Sequence, residues 1–350
     1  MSAAWLTVDL GAIVANWKKI GGLLSSGQAA AVVKADGYGL GAVPVAKALQ
    51  SAGCRRFFVA TLDEGIALRA ALPDPEILVM NGLLRGAEEI YPQHRLIPTL
   101  NSRDQVARWR HTRLPAALQI DSGLSRLGVA LWEAAEIAKD PDLDLILVMS
   151  HLACADEPAH PLNSQQLEVF RAARELFPGI EGSIAASSGI FLGREFHQDW
   201  VRPGAALYGI NPNPELANPM AQVVRLQAKI LQLREIDAGI SVGYGATHCA
   251  SRPMRLATIG VGYADGLFRA LSNRGHGHIG DKLVPLVGRV SMDLSVFDVT
   301  AIEERALGPD AVIDLIGPHS TIDQLAQKAG TIGYEILTAL GPRLQRNYAQ

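Results

Sequence analysis

The sequence predicts an α/β protein: a (β/α)8 TIM-like barrel followed by a mainly antiparallel β domain. Three observations carry that prediction. Over the first two-thirds of the chain, short apolar runs alternate with helix-spaced segments at a recurrence of roughly 20–30 residues. Eight such apolar runs fall before residue 211, the number that closes a parallel barrel. After the Pro/Asn cluster at 211–214 the texture changes to extended runs separated by glycine-bearing turns. Residues 1–214 are therefore expected to form the barrel and residues 215–350 the β domain. An open doubly wound sheet is the competing arrangement of the same β/α units.

The first element is a helix over 9–20 (DLGAIVANWKKI), with Leu10, Ile13, Val14 and Trp17 on one side and Asp9 as N-cap. The apolar run 29–33 is the first strand, and it ends on Lys34. Further strands are expected at 57–60, 76–80, 96–99, 116–120, 145–149, 182–186 and 205–210. Helices are expected at 44–52, 63–71, 86–91, 102–110, 131–138 and 163–177, with a short one at 188–196. In the second region, extended runs cover 223–233, 255–263, 283–290, 295–299 and 312–316. Helical spacing returns at 321–328 and 334–340.

Composition excludes several classes of function. Of the 350 residues, 48% are hydrophobic and 19% charged, as in an ordinary protein with a large core. The net charge is −3, and lysines and arginines cluster no further than pairs such as Lys18-Lys19, so no nucleic acid partner is expected. Cys54, Cys154 and Cys249 are widely spaced, with no C-x-x-C, which argues against a disulfide framework or a zinc site. His276 and His278 stand among glycines without a carboxylate or cysteine cluster, so no metal is expected. The N-terminus carries no signal-like pattern, and no apolar run approaches ~18 residues. A cytoplasmic protein without membrane contact is the expectation.

The chemistry is expected where the strands end, because barrels of this kind work at the C-terminal face. A lysine ending a buried strand is poorly solvated; its pKa falls and its amine is freed to attack a carbonyl. Lys34 is such a residue, and a loop with Gly37, Gly39 and Gly41 follows, with Tyr38 in reach. It is not a P-loop, since the lysine precedes the glycines. Arg126 lies in the loop after the fifth strand, Ser150-His151 end the sixth, Ser187-Ser188 follow the seventh, and Arg202-Pro203-Gly204 lead into the eighth. Singly each has an ordinary reading: surface charge, hydrogen-bonded core histidine, helix cap, ion-pair partner. Together on one face they make a site.

Seven motifs carry a resemblance that spans the chain: VVKADGYGLG at 32–41, DSGLSRLG at 121–128, SHLACAD at 150–156, VRPGAALYG at 201–209, VGYGAT at 242–247, GVGYADGL at 260–267 and GRVSMD at 288–293. In this order they resemble the alanine racemases, fold-type III enzymes dependent on pyridoxal 5'-phosphate (PLP). The resemblance implies that Lys34 carries PLP covalently. It implies that Tyr38, Ser188 and the backbone at Gly204 and Ala205 hold the phosphate, and that Arg202 faces the pyridine nitrogen. Arg126 would lie beside the substrate carboxylate. A homodimer with shared sites is implied, with the partner subunit's Tyr244, hydrogen-bonded to His151, as the second base and with the partner's Met292 and the partner's Asp293 at the substrate mouth.

Inversion at a carbon needs a proton taken from one face and returned to the other, hence two acid/base groups. Lys34 and Tyr244 are the implied pair. A phenol of pKa ~10 is a poor base near neutrality, so His151 and Arg202 are expected to favour its anion. Arg202 can donate to the ring nitrogen but does not protonate it, which limits side reactions of the cofactor.

The sequence departs from the family pattern at Gln119 (commonly a carbamylated lysine that braces the arginine), Gly37, Leu40, Ser187 and Ser291. These leave open a broader or different substrate, such as serine. A decarboxylase or a non-catalytic PLP carrier on the same scaffold is disfavoured by Arg202 and Tyr244. Whether D-alanine is made for cell-wall precursors or degraded is open.

Overall fold

The computed structural model describes residues 3–350; Met1 and Ser2 lie outside the described residues. The chain folds into two compact units, one of residues Ala12–Ala221, the other of Gln222–Gln350 with the N-terminal segment through Gly11.

The first unit is built on seven parallel strands that pair in chain order: Ala31–Val32, Arg56–Val59, Glu76–Val79, Ile97–Leu100, Ala116–Gln119, Leu145–Met149 and Glu181–Ser183. Strands such as Arg56–Val59 and Ala116–Gln119 are buried at every position. That explains why they appear in the sequence as unbroken apolar runs rather than alternating ones. Trp200–Val201 supplies the eighth strand, pairing in parallel with Gln28–Ala29 just before the lysine strand. The ladder continues through Ala30 N donating to Val201 O (3.0 Å) and Val32 N to Pro203 O (2.9 Å). On its other side Asp199 N donates to Gly182 O (3.1 Å) and Arg202 N to Ala185 O (2.9 Å). The barrel is closed, as expected.

The eighth strand lies five residues earlier than the expected 205–210. Ala205–Tyr208 is a 3-10 turn with all four residues buried. A short, fully buried apolar run has no periodicity to separate strand from turn. The segment expected as a short helix at 188–196 is two 3-10 turns, Ser188–Phe191 and Arg194–Phe196. Of the expected 86–91 only the last two residues are helical, as the start of the short helix Ile90–Gln93. The longer helices form near their expected positions. Leu62–Ala71 starts at a Thr61/Glu64 capping box, and Leu162–Glu175 buries Leu167, Phe170 and Ala173.

The second unit is a mainly antiparallel sheet around the long strand Val224–Ile236, which pairs antiparallel with Ala4–Asp9, Met254–Ile259 and Val312–Ile316. Ser295–Asp298 extends the sheet beside Met254–Ile259, and His276–Ile279 joins Lys282–Pro285 to Val312–Ile316. Ala4–Asp9 is a strand that the sequence reading omits, and with its partner it goes into this unit. Its alternation, Ala4, Leu6 and Val8 buried between half-buried neighbours, is the half-buried strand pattern. Gln345–Ala349 pairs parallel to it. No described helix is long and apolar enough to cross a membrane.

Candidate active site

The segment after Lys34 is not a loose loop. Ala35, Asp36, Gly37 and Tyr38 all have φ between 51° and 62°, a full turn of left-handed backbone. For a residue with a Cβ this costs roughly 1–2 kcal/mol, and only Gly37 escapes it. Local hydrogen bonds hold the turn: Gly37 N to Val33 O (2.9 Å), Gly39 N to Ala35 O (2.7 Å) and Gly41 N to Asp36 O (2.7 Å). Asp36 Oδ1 accepts from Ala42 N (2.8 Å), and Glu64 Oε1 accepts from Ala35 N (2.6 Å). Strained backbone of this kind persists only where the surroundings over-determine it, and it clusters at functional sites.

The amine itself sits in an unfavourable place for a cation. Burial, foremost, and then the charge of Arg126 hold Lys34 below the usual lysine range, while Glu64 pulls the other way. His151 shares this field. Burial, then Arg202, Arg126 and Lys34, push its imidazole down to about 3. The ring is therefore neutral at neutral pH.

Arg202 is 2% exposed, and burial lowers its guanidinium to about 10, so it stays charged at neutral pH. Its Nη1 donates to Ser183 O (2.9 Å) and Ser183 Oγ (2.5 Å), and its Nη2 to Ser150 O (2.5 Å). These bonds lock the guanidinium to the ends of the sixth and seventh strands. Among the described residues none of its hydrogen bonds goes to the His151 ring; the two interact through charge. Arg126 is exposed, and Gln119 Nε2 donates to Ile120 O (3.3 Å) instead of bracing it.

A second group of residues forms a cradle beside Lys34. A Cβ on Gly204 would lie 2.3 Å from the Tyr38 Oη and 3.0 Å from its Cζ, so only glycine fits under that ring. Tyr38 also stacks on Tyr208, with centroids 4.6 Å apart, and Tyr208 Oη donates to Val32 O (3.1 Å). Ala205 begins a 3-10 turn, whose first N–H groups have no partner within the turn. Ser188 begins another and is half-buried. Its neighbour Ser187 organises the cradle: the hydroxyl accepts from Gly204 N (3.0 Å) and Ala206 N (3.1 Å). The amide of Gly204 is thus engaged by Ser187.

The barrel unit brings together Lys34, Tyr38, Arg126, His151, Ser188, Arg202, Gly204 and Ala205. Tyr244, Met292 and Asp293 belong to the β unit. Tyr244 is 73% exposed, on the turn of the hairpin formed by Ser241–Val242 and His248–Cys249. Met292 is also exposed, and Asp293 pairs with Arg343 (2.7 Å), which also binds buried Asp265 (2.8 Å). Sequence reasoning missed Glu64 and the bracing by Ser183 and Ser187. The capping-box pattern Thr61-x-x-Glu64 was visible, but its reach to Ala35 is tertiary.

A half-buried lysine of lowered pKa, a glycine cradle shaped to a tyrosine, and a locked arginine fit a covalently held phosphate cofactor. Comparisons with known proteins agree. The family model described as "Alanine racemase, N-terminal domain" matches residues 8–212, and "Alanine racemase, C-terminal domain" matches residues 223–348. An alanine racemase of Rhodospirillum rubrum is 50% identical over 359 residues, covering 99% of this chain and 96% of that protein. A protein of Mesorhizobium japonicum named "Alanine racemase, catabolic" is 49% identical over 358 residues, covering 99% and 93%. Among solved structures, alanine racemase from Bartonella henselae with covalently bound pyridoxal phosphate has a TM-score of 0.94 and 40% identity, covering 99% of this chain and 100% of that one. The resemblance seen in the motifs is borne out over both units: the chain belongs to the alanine racemase family.

Proposed function

We propose that this protein is a PLP-dependent racemase that interconverts L- and D-alanine, with Lys34 and the partner subunit's Tyr244 serving opposite faces of the substrate. The observation that carries the reading is Lys34 itself, presented by a strained turn at the mouth of the barrel with its pKa lowered by burial and Arg126. When bound, PLP withdraws electrons from the substrate Cα and makes its proton removable.

The residues divide that work. Lys34 would hold the cofactor, and its amine would serve as the proton-exchanging group on one face of the substrate. A lowered pKa suits both roles, because a base works best near the operating pH. Tyr38, Ser188 and the backbone N–H of Ala205 would take the phosphate, while Gly204, whose own amide is held by Ser187, leaves room for the Tyr38 ring. Arg202, locked by Ser183 and Ser150, presents a fixed donor to the ring nitrogen and does not give up its proton. His151, kept neutral, can accept a hydrogen bond, and the positive field of Arg126 and Arg202 favours an anion beside it. Arg126 is exposed and free to take the substrate carboxylate.

The barrel unit supplies one base and the β unit the other, so we read the active form as a homodimer with the partner's Met292 and the partner's Asp293 at the mouth. The exposed aromatic tip at Tyr244 supports this reading. The test is spectroscopic. The purified protein with PLP should show a lysine-bound cofactor band. With L-alanine in deuterated water it should lose optical activity and exchange the α-proton. A band without racemisation would move the reading to a decarboxylase or carrier, and no band would sink it. The same assay with serine tests the breadth left open by Gln119 and Ser291.

A further inference from the structure

Glu64 does more than cap its own helix. Its Oε2 accepts from Ala60 N (2.7 Å) and Thr61 N (3.2 Å), which completes the start of Leu62–Ala71. Its Oε1 reaches 29 residues back in the chain and accepts from Ala35 N at 2.6 Å. Ala35 directly follows Lys34 and is the first of the left-handed residues. A capping box asks its glutamate for one backbone N–H; this carboxylate takes three, and the shortest of these bonds is the one outside the helix.

We propose that Glu64 is a positioning residue for Lys34: it clamps the amide that opens the left-handed turn and sets a fixed negative charge near the amine. The inference rests on the PLP reading above and adds a residue to it. A charge-assisted bond of this kind is roughly twice as strong as a neutral one, and it falls where the turn leaves the ordinary backbone region. Electrostatics gives it a second effect. Burial and Arg126 lower the Lys34 pKa, and Glu64 raises it. His151 lies in the same field as a neutral ring, the charge of Arg202 lowers its pKa, and Asp36 and Tyr38 share the turn with the lysine. Without the carboxylate the amine would lose a charge that favours its protonated form.

A purely structural role predicts the opposite change. If Glu64 only capped its helix, removing it would leave Ala35 exchange as in wild type, and fraying of the helix start would at most let water reach Lys34 and raise its pKa toward the ordinary 10.5. The experiment uses the full-length protein stripped of PLP, and follows by absorbance the rate at which added PLP is taken up on Lys34 across pH. Hydrogen exchange of the Ala35 amide is measured in parallel. In Glu64→Gln, nearly isosteric but neutral, the apparent pKa of uptake should fall by about one pH unit and Ala35 exchange should quicken about tenfold. Glu64→Asp keeps the charge but is one methylene short, so exchange should quicken while the pKa stays near that of wild type. An unchanged or raised pKa in Glu64→Gln, or Ala35 exchange equal to wild type in both variants, overturns the proposal. Wild-type protein that takes up no PLP would sink the functional reading instead, and the exchange data would still decide whether Glu64 clamps the turn.

Discussion

Gly204 and Tyr38 touch so closely that a single methyl group would separate them: a Cβ on Gly204 would lie 2.3 Å from the Tyr38 phenol oxygen. Tyr38 cannot retreat easily, because its other face lies on Tyr208 at 4.6 Å and its own backbone is left-handed. Gly204→Ala should therefore displace the phenol and cost about 1–3 kcal/mol of stability through overpacking. We expect PLP affinity to fall at least about tenfold, since both displaced groups belong to the phosphate cradle. Titration of the PLP-free protein with PLP measures it. Tyr38→Phe in the same chain should recover part of the stability by removing the oxygen, but not the affinity.

Tyr244 is exposed and is not among the buried residues of the core. Tyr244→Phe should therefore leave folding and PLP binding unchanged and lower racemisation by roughly 10²–10⁴, the usual worth of a positioned acid/base group. Exchange of the α-proton with solvent should persist from one enantiomer and fail from the other, because the Lys34 face is untouched. Loss of bound PLP in this variant would mark the tyrosine as structural.

His151 provides a pH test. Its pKa is held down to about 3 in the folded protein, against an ordinary 6.5. Between those values the unfolded chain binds the proton and the folded one does not. The contribution is fully present above about pH 6.5, and stability falls as the pH drops toward 3, by up to ~1.4 kcal/mol per pH unit. His151→Asn should flatten that part of the curve, which urea titrations between pH 4 and 8 (about four points) would reveal. An acid slope identical to wild type would mean that His151 is protonated in the native protein.

At the opposite, N-terminal end of the barrel strands, Arg56 is a structural counterpart. It is 5% exposed, pairs with Glu76 (2.5 Å) and Glu181 (2.8 Å), and stacks 4.0 Å from the centre of the Trp200 ring. It thereby ties the second, third, seventh and eighth strands together. Arg56→Ala should destabilise the protein by about 3 kcal/mol, toward the low end for a broken buried pair, because both glutamates are partly exposed and can rehydrate. Arg56→Lys should restore little, since an ammonium neither stacks on the indole nor forks between two carboxylates. Turnover per folded molecule should be unchanged.

Much of this protein is legible from its residues. The alternation of buried strands and amphipathic helices predicts a parallel sheet, with the count of eight favouring a barrel over an open doubly wound sheet. The composition is that of a protein with a large core. The lysine at a strand end, and the arginine, histidine and serines at later strand ends, could be placed on one face because every strand of a closed parallel barrel points the same way. The alternating strand Ala4–Asp9 was also legible in principle, through Leu6 and Val8, although helical spacing just beyond it drew the assignment. The eighth strand was not. Two residues at Trp200–Val201 and a buried 3-10 turn after them have no period to distinguish them.

What only the tertiary structure decided is how the reactive groups are held. Nothing in KADGY announces a left-handed turn, because three of its four left-handed residues ordinarily avoid that region; contacts from Glu64, Asp36 and Tyr208 impose it. Nothing in the spacing says that Arg202 is fastened by Ser183 and Ser150, or that Ser187 rather than a ligand takes the Gly204 amide. Residue type and strand position determine which chemistry is available, since they depend on local pattern. Orientation and proton affinity depend on burial and on charges distant in the chain, and those exist only once the barrel has closed.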